Sequence, residues 1–147
     1  MFHDFGILLA EDDPNDVVLV RRALASAGIE RVEVVQDGEE AIDFFCPRKG
    51  HARRKRHLLP ALVLLDIKMP KLNGLEILAW LRENDDHRLK RLPVIIMSSS
   101  SEQKDIDLAY ELGVNAYLVK PNAFRELMEV LKTTTDFWRD TAAHPRI

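Results

Sequence analysis

Five short runs of apolar residues recur along the chain, and this pattern restricts the choice of fold more than any other feature. The runs are rich in branched side chains: Phe5–Ala10, Val32–Val35, Ala61–Leu65, Val94–Met97 and Ala116–Val119. Continuous apolar runs of this length are typical of strands buried on both faces of a parallel sheet. Longer amphipathic stretches separate them, so we predict an α/β fold with a doubly wound, five-stranded parallel sheet and helices on both faces.

The intervening stretches carry signals that begin and end helices. Asp13 and Pro14 are typical of an N-cap and a first helical residue, and Gly28 is expected to end that helix. Ser101 is expected to open a helix that ends at Gly113. The last helix, about residues 122–136, has an apolar stripe at spacings of three and four residues. Its members are Phe124, Leu127, Met128, Leu131 and Thr135.

Length and composition fit a single globular domain. The chain has 147 residues, of which 46% are hydrophobic and 31% charged. We expect one domain over residues 1–136 and a tail over residues 137–147 with no output domain. The sequence has no apolar run of about 18 residues that could span a bilayer. The N-terminus does not resemble a signal peptide, and the single Cys46 suits a reducing cytosol, so we expect a cytoplasmic location.

Acidic side chains follow the first and third apolar runs. Glu11, Asp12 and Asp13 come directly after the first run, and Asp66 comes directly after the third. Ligands of open α/β sheets bind beyond the carboxyl ends of the strands, and the first and third strands are neighbours in the flavodoxin-like order. Carboxylates brought together there repel one another and are costly to desolvate. We therefore expect a hard divalent cation, with Mg²⁺ as the natural candidate.

A hydroxyl and an ammonium group are expected at the same edge of the sheet. Ser98 follows the fourth run and Lys120 follows the fifth. Carboxylates, a metal ion, a hydroxyl and a lysine are the groups that phosphoryl transfer requires, because they neutralise or bind the phosphoryl oxygens. Asp66 is the predicted nucleophile, attacking a phosphohistidine in line to form an acyl phosphate.

The spacing of these residues resembles the response-regulator receiver family over about residues 5–136. The matching elements are Glu11-Asp12, Asp66-Ile-Lys-Met-Pro-Lys-Leu-Asn-Gly74, Ser98 and Tyr117-Leu-Val-Lys120-Pro121. The resemblance implies a flavodoxin-like (βα)₅ fold and a two-component phosphorelay with a sensor histidine kinase as partner. It also implies a signalling phosphoacceptor with Mg²⁺ as cofactor, which catalyses its own phosphotransfer and dephosphorylation and is not a metabolic enzyme.

The resemblance assigns roles around the metal. Asp66 corresponds to the phosphoacceptor, Asp12 to a direct metal ligand, and Glu11 to a carboxylate that acts mainly through water. Lys68 corresponds to the position that offers its backbone carbonyl to the metal, so its side chain is not implicated. Asp13 lies one place beyond the acidic pair and is expected to cap the following helix.

The resemblance also assigns the residues of a switch. Ser98 corresponds to the switch hydroxyl and Lys120 to the invariant lysine, whose bond to Pro121 is usually cis in this family. Tyr117 corresponds to the aromatic residue that turns inward when Ser98 is drawn to the phosphate. Pro70 and Gly74 are interpreted as residues that shape the loop.

The end of the chain shows a narrower similarity. Asp136-Phe137-Trp138 and the long loop at residues 47–60 resemble the small regulators paired with bacterial phytochromes, which are light-sensing histidine kinases. Exposed apolar patches often mark interfaces, so we expect a homodimer through the last helix, Phe137 and Trp138.

A basic run at residues 48–57 holds six of the 21 Lys and Arg residues. Either it is a solvated loop, or it docks to an acidic surface of a partner. It lacks interleaved aromatic residues for base stacking, and no DNA-reading module follows. We therefore expect neither a nucleic acid nor a membrane as partner.

Three other functions are open on the sequence. A Mg²⁺-dependent phosphatase with an aspartyl nucleophile, of the haloacid-dehalogenase type, would need a second Asp where Lys68 stands. A flavodoxin-like nucleotide or flavin binder would need a Gly-rich or Ser/Thr-rich loop after the first strand, where Glu11 to Asp13 would repel phosphate. A plain interaction module with an inactive acidic pocket is the third.

Overall fold

The computed structural model describes residues 5–47 and 59–146, and within them five parallel strands form one sheet. The strands are β1 (Gly6–Ala10), β2 (Arg31–Val35), β3 (Leu62–Leu65), β4 (Val94–Ser98) and β5 (Ala116–Val119). Their order across the sheet is β2-β1-β3-β4-β5. This confirms the predicted fold class and places the first and third strands side by side. The predicted basic loop at residues 48–57 lies outside the described residues.

Helices cover both faces of the sheet. Those of the described residues are α1 (Pro14–Ser26), α2 (Gly38–Phe45), α3 (Gly74–Arg82), α4 (His87–Lys90), α5 (Gln103–Glu111), α6 (Phe124–Asp136) and a π-helix (Phe137–Thr141). One apolar layer joins the sheet to α1 and α6, and the other joins it to α2, α3 and α5. Among the described residues, no helix combines the length and the apolar character needed to cross a bilayer.

Burial differs between the central and the edge strands. Every residue of β1, β3 and β4 is buried, whereas most residues of β2 and β5 are partly exposed. The expectation that all five strands are buried on both faces is therefore wrong for β2 and β5. These two strands lie at the margins of the sheet, where the helices cover it less completely.

The helix boundaries follow local hydrogen bonds. The Asp13 carboxylate accepts from the Asn15 N–H at 2.8 Å, which confirms Asp13 as the N-cap of α1. The chain leaves α1 through Gly28, whose φ of +86° favours glycine. The prediction that α5 opens at Ser101 is wrong, because α5 begins at Gln103. The Glu102 N–H donates to the Ser100 hydroxyl at 3.3 Å, which holds the preceding residues in a turn.

The segment after α6 packs against the end of the domain where the strands begin. Trp138 contacts the apolar layer between the sheet and α1 and α6. Arg139 donates to the carbonyl of Ala27 at the end of α1, at 3.2 Å. The ring of His144 lies 5.9 Å from that of Phe5, which precedes β1. Residues 137–146, the C-terminal segment, therefore lie opposite the edge where the acidic residues were predicted.

Candidate functional site

Three carboxylates meet where β1 and β3 end. Glu11, Asp12 and Asp66 each provide a carboxylate oxygen, and these atoms lie within 4.8 Å of one another. The Asp66 N–H donates to the carbonyl of Ala10 at 3.0 Å, so the sheet itself fixes the two strand ends side by side. Glu11 is buried, Asp66 is partly exposed and Asp12 is exposed. The predicted convergence of these side chains is confirmed.

The donor set fits a hard divalent cation. All three groups offer oxygen atoms, which are the ligands that Mg²⁺ prefers. A cavity of about 460 Å³ beside them is lined by Asp12, Ile67, Lys68, Met69 and Asn73. Lys68 thus lies next to Asp12, and its side chain is exposed to solvent. Negative charge is in excess at this edge, and a cation would reduce it.

Lys120 reaches from the end of β5 to the carboxylates. Its Nζ lies 2.9 Å from Glu11 Oε1, 3.0 Å from Asp16 Oδ2 and 3.7 Å from Asp66 Oδ2. Burial by itself would lower the pKa of Lys120, but the hydrogen bond to Glu11 and the negative charges of Asp66 and Glu11 outweigh it and raise the pKa. The ammonium group is therefore charged throughout the physiological pH range.

The carboxyl group of Glu11 is strongly perturbed. Burial raises the pKa of Glu11 to about 7, and the charge of Asp66 acts in the same direction. Hydrogen bonds from Lys120 and from the Asp13 N–H, the latter at 3.2 Å, act in the opposite direction. Lys120 therefore offsets only part of the cost of burying this carboxylate.

The main chain around Asp66 fixes its carboxylate. The Ile67 N–H donates to Asp66 Oδ1 at 2.7 Å. Gly74, the first residue of α3, packs directly on this turn: a Cβ atom there would lie 2.1 Å from the Asp66 carbonyl oxygen. The Gly74 N–H also donates to the Ile67 carbonyl at 2.9 Å. Glycine is required at this position because the helix begins in contact with the phosphoacceptor candidate.

Ser98 and Tyr117 lie near the same edge but bond to the loop that follows β4. Ser98 is buried, and its Oγ accepts from the Ser100 N–H at 3.1 Å. The Tyr117 hydroxyl donates to the Ser100 carbonyl at 2.9 Å. The Lys120 N–H donates to the Ser98 carbonyl at 2.7 Å, which joins the ends of β4 and β5. Ser98 and Tyr117 are thus joined through Ser100 of this loop, whereas Lys120 is joined to Ser98 directly by the main chain.

Two features of the site differ from the sequence predictions. Asp16, in the first turn of α1, was not predicted, although it accepts from Lys120 Nζ at 3.0 Å. An acidic residue in a first turn has an ordinary explanation in the helix dipole, so the sequence alone gave no signal of this pairing. The Lys120–Pro121 bond, expected to be cis, is trans, which is the form that X–Pro bonds favour.

Phe137 and Trp138 do not belong to this site. Both lie in the C-terminal segment, at the opposite end of the domain. The Phe137 side chain is 49% exposed, whereas Trp138 packs against the apolar layer below α1 and α6. The two rings contact each other edge to face, 5.5 Å apart.

A parallel five-stranded sheet with this acidic edge defines the receiver class of signalling domains. The family model of the response regulator receiver domain matches residues 7–132, and the chain belongs to this family. Receiver domains are signalling proteins and not classical enzymes.

Relatives include regulators of phytochromes. Response regulator Rcp1 of Synechocystis is 34% identical over 140 residues, covering 95% of this chain and 92% of Rcp1. The crystal structure of its Mn²⁺-bound form has a TM-score of 0.83 and covers 95% of this chain and 98% of that one. The phosphorylated cyanobacterial phytochrome response regulator RcpA is 35% identical, with a TM-score of 0.85 and coverage of 96% and 98%. RPA3017, a response regulator in red light signalling of R. palustris, is 36% identical, with a TM-score of 0.86 and coverage of 97% and 99%.

Proposed function

We propose that the chain accepts a phosphoryl group from a sensor histidine kinase on Asp66, in a Mg²⁺-dependent step of a two-component phosphorelay. One observation carries the proposal: oxygen atoms of Glu11, Asp12 and Asp66 lie within 4.8 Å of one another, and Lys120 Nζ lies 3.7 Å from Asp66 Oδ2. Phosphorylated RcpA and Mn²⁺-bound Rcp1 support it as relatives. Family membership favours it over the aspartyl phosphatase considered on sequence.

Asp66 is the nucleophile of the proposed reaction. One carboxylate oxygen forms the new bond to phosphorus as the bond from phosphorus to the imidazole nitrogen breaks, and the electron pair leaves with the imidazole. The Ile67 N–H holds the carboxylate in place at 2.7 Å, so little reorganisation precedes the attack. Dephosphorylation by water at the same site completes the cycle.

The neighbouring groups act on charge. The Lys120 ammonium neutralises charge that develops on the phosphoryl oxygens, and its raised pKa keeps it protonated. Asp12 and Asp66 would hold Mg²⁺ directly, with Glu11 acting through water and Lys68 through its carbonyl. When bound, Mg²⁺ supplies positive charge that offsets both the carboxylates and the phosphoryl oxygens.

The Ser98 hydroxyl reports phosphorylation. It donates to a phosphoryl oxygen, and Tyr117 turns inward as Ser98 moves. The exposed face formed by α5, β5 and α6 then changes, and the signal passes to another protein, to a second copy of the chain, or onward by phosphate transfer. The receiver domain of this proposal spans residues 1–136.

A bacterial phytochrome is the proposed kinase, and a second copy of the chain is a proposed partner. RcpA and RPA3017 support the first part, because they are described as regulators of phytochrome and red-light signalling. The proposed dimer uses α6 and the C-terminal segment. Phe137 is half-exposed there, and its ring contacts the Trp138 ring edge to face.

Labelling with acetyl phosphate and Mg²⁺ tests the phosphoacceptor. The intact chain should acquire an acid-stable, hydroxylamine-labile label, and Asp66→Asn should acquire none because the nucleophile is absent. EDTA should also abolish labelling. Asp13→Asn is the matched control: the amide can still cap α1, and labelling should be unchanged. Label that persists in Asp66→Asn would contradict the proposal.

A further inference from the structure

Ser100 makes hydrogen bonds in three directions from the loop between β4 and α5. Its N–H donates to Ser98 Oγ at 3.1 Å, and its carbonyl accepts from the Tyr117 hydroxyl at 2.9 Å. Its own hydroxyl donates to Asp105 Oδ2 at 2.6 Å. One half-buried residue is thus bonded to both proposed switch residues and to α5.

The start of α5 depends on Ser100 for its hydrogen bonds. Glu102 occupies the N-cap position but makes no side-chain capping hydrogen bond. The Ser100 hydroxyl accepts from the Glu102 N–H at 3.3 Å and donates to Asp105, which lies in the first turn. A length of 2.6 Å is typical of a hydroxyl bonded to an ionised carboxylate, which is a strong hydrogen bond. Ser100 therefore does the work that an N-cap side chain does in other helices.

We propose that Ser100 is the positioning residue through which the state of the Ser98 hydroxyl reaches α5. This inference rests on the proposed phosphorylation of Asp66. When Ser98 turns toward the phosphoryl group, its hydrogen bond to Ser100 either breaks or moves Ser100 with it. Because the same residue holds Asp105, the first turn of α5 responds. An element whose arrangement is biased by both sites is one physical means of coupling them.

The hydroxyl of Ser100 can be removed without disturbing its main-chain bonds. Ser100→Ala keeps the N–H that bonds to Ser98 and the carbonyl that bonds to Tyr117, and it loses the links to Asp105 and Glu102. Ser100→Thr keeps a hydroxyl and should therefore keep the hydrogen bonds to Asp105 and Glu102. Ser101→Ala, at the exposed neighbouring position, is the matched control.

Hydrogen exchange of the α5 amides, measured on the intact chain before and after labelling with acetyl phosphate and Mg²⁺, tests the proposal. In the unsubstituted chain, Ser101→Ala and Ser100→Thr, we expect phosphorylation to change exchange in the first turn of α5 at least threefold. In Ser100→Ala, Asp66 should be labelled to the same extent, while the α5 response should fall to less than a third.

Three outcomes would overturn the inference. The first is a full α5 response in Ser100→Ala with normal labelling, and the second is a normally labelled, unsubstituted chain whose α5 amides do not respond. Either of these would contradict the role of Ser100 and leave the proposed function intact. Absence of label on Asp66 in the unsubstituted chain would overturn the proposed function as well. Melting curves of each variant, recorded without phosphate, identify loss of folding as a separate cause.

Discussion

Glu11 has the most deeply buried carboxylate of the site, with 2% of the residue exposed. Lys120 contacts it at 2.9 Å, yet burial and the charge of Asp66 still raise the pKa of Glu11 to about 7. Burial and the charge of Asp66 therefore disfavour the ionised form of Glu11, and a cation bound beside it would favour that form. The ionisation of Glu11 would thus couple the binding of a cation to the free energy of unfolding.

In EDTA, we expect the free energy of unfolding to fall as pH rises from 5 to 8. The pKa of Glu11 is about 7 in the folded chain and has the ordinary value of 4.5 in the unfolded chain, so the folded state binds the proton more tightly. This stabilisation is complete below pH 4.5 and is lost as pH rises through 7, and its full size is about 3 kcal/mol. Urea unfolding at each pH measures it. Glu11→Gln cannot titrate and should show a smaller fall; an equal fall in both proteins would assign the effect elsewhere.

Lys120→Met should slow labelling of Asp66 by about 100-fold, because it removes the positive charge next to the proposed nucleophile. Its affinity for Mg²⁺, measured by calorimetry, should be unchanged or higher, since the ammonium no longer competes for Glu11 and Asp66. Lys132→Met is the control: Lys132 pairs with Asp136 at 2.7 Å on the exposed side of α6, far from the site. Labelling at the normal rate in Lys120→Met would contradict the role given to this residue.

Residues at strand ends were predictable, whereas residues that reach the site from helices were not. Glu11, Asp12, Asp66, Ser98 and Lys120 each follow an apolar run, and parallel strands bring such positions to one edge of the sheet. The pairing of Asp16 with Lys120 depends on how α1 lies on the sheet. That placement is set by tertiary packing, which leaves no local pattern in the sequence.

At the scale of secondary-structure elements, the strands were predictable from the sequence, whereas two short helices were not. The five apolar runs match the five strands to within one residue at each end, because burial in a parallel sheet selects unbroken apolar sequence. The short helix α4, with four residues, and the π-helix at Phe137–Thr141 were not predicted. Neither is long enough to show a helical period.

The junction of β3 and α3 gives a prediction at this scale. Gly74→Ala should lower the free energy of unfolding by about 1–3 kcal/mol, because the new methyl group would overlap the Asp66 carbonyl oxygen. The displaced Asp66 should also be labelled more slowly, which a time course with acetyl phosphate would measure.

Gly113→Ala provides the comparison for that experiment. Gly113 has a φ of +98°, so alanine there is also strained, but it lies beside Arg82 at the far end of α3. The Gly113→Ala substitution should destabilise the chain without slowing the labelling of Asp66. Equal effects of both substitutions on labelling would show that Gly74 acts through general stability alone.

At the scale of the whole molecule, the two ends of the sheet carry different surfaces. The acidic site lies where the strands end, and the C-terminal segment packs where they begin, through Trp138, Arg139 and His144. The acidic site and the C-terminal segment, which is one part of the proposed contact with a second copy, are therefore separated by the length of the strands. Substitutions in the C-terminal segment can therefore be made without altering the acidic site.

The two aromatic residues of the C-terminal segment should behave differently. Phe137→Ala should weaken self-association at least tenfold in sedimentation velocity with a change in stability below about 0.5 kcal/mol, because about half of the residue is exposed to solvent. Trp138→Ala should lower the free energy of unfolding by about 2 kcal/mol, since its indole packs on the core. A chain that stays monomeric at high concentration, or a Phe137→Ala variant that associates normally, would contradict the proposed dimer.

Strands β1 and β3 are interior strands, each hydrogen-bonded to a neighbour on both sides. Frayed edges and loosely held loops open first when a domain is warmed, while the middle of a sheet opens only with the rest. The acidic residues lie at the ends of these central strands. On heating, we therefore expect no partly unfolded form in which these residues separate while the rest of the domain stays folded. The capacity to receive a signal should vanish at the same temperature as the native protein itself.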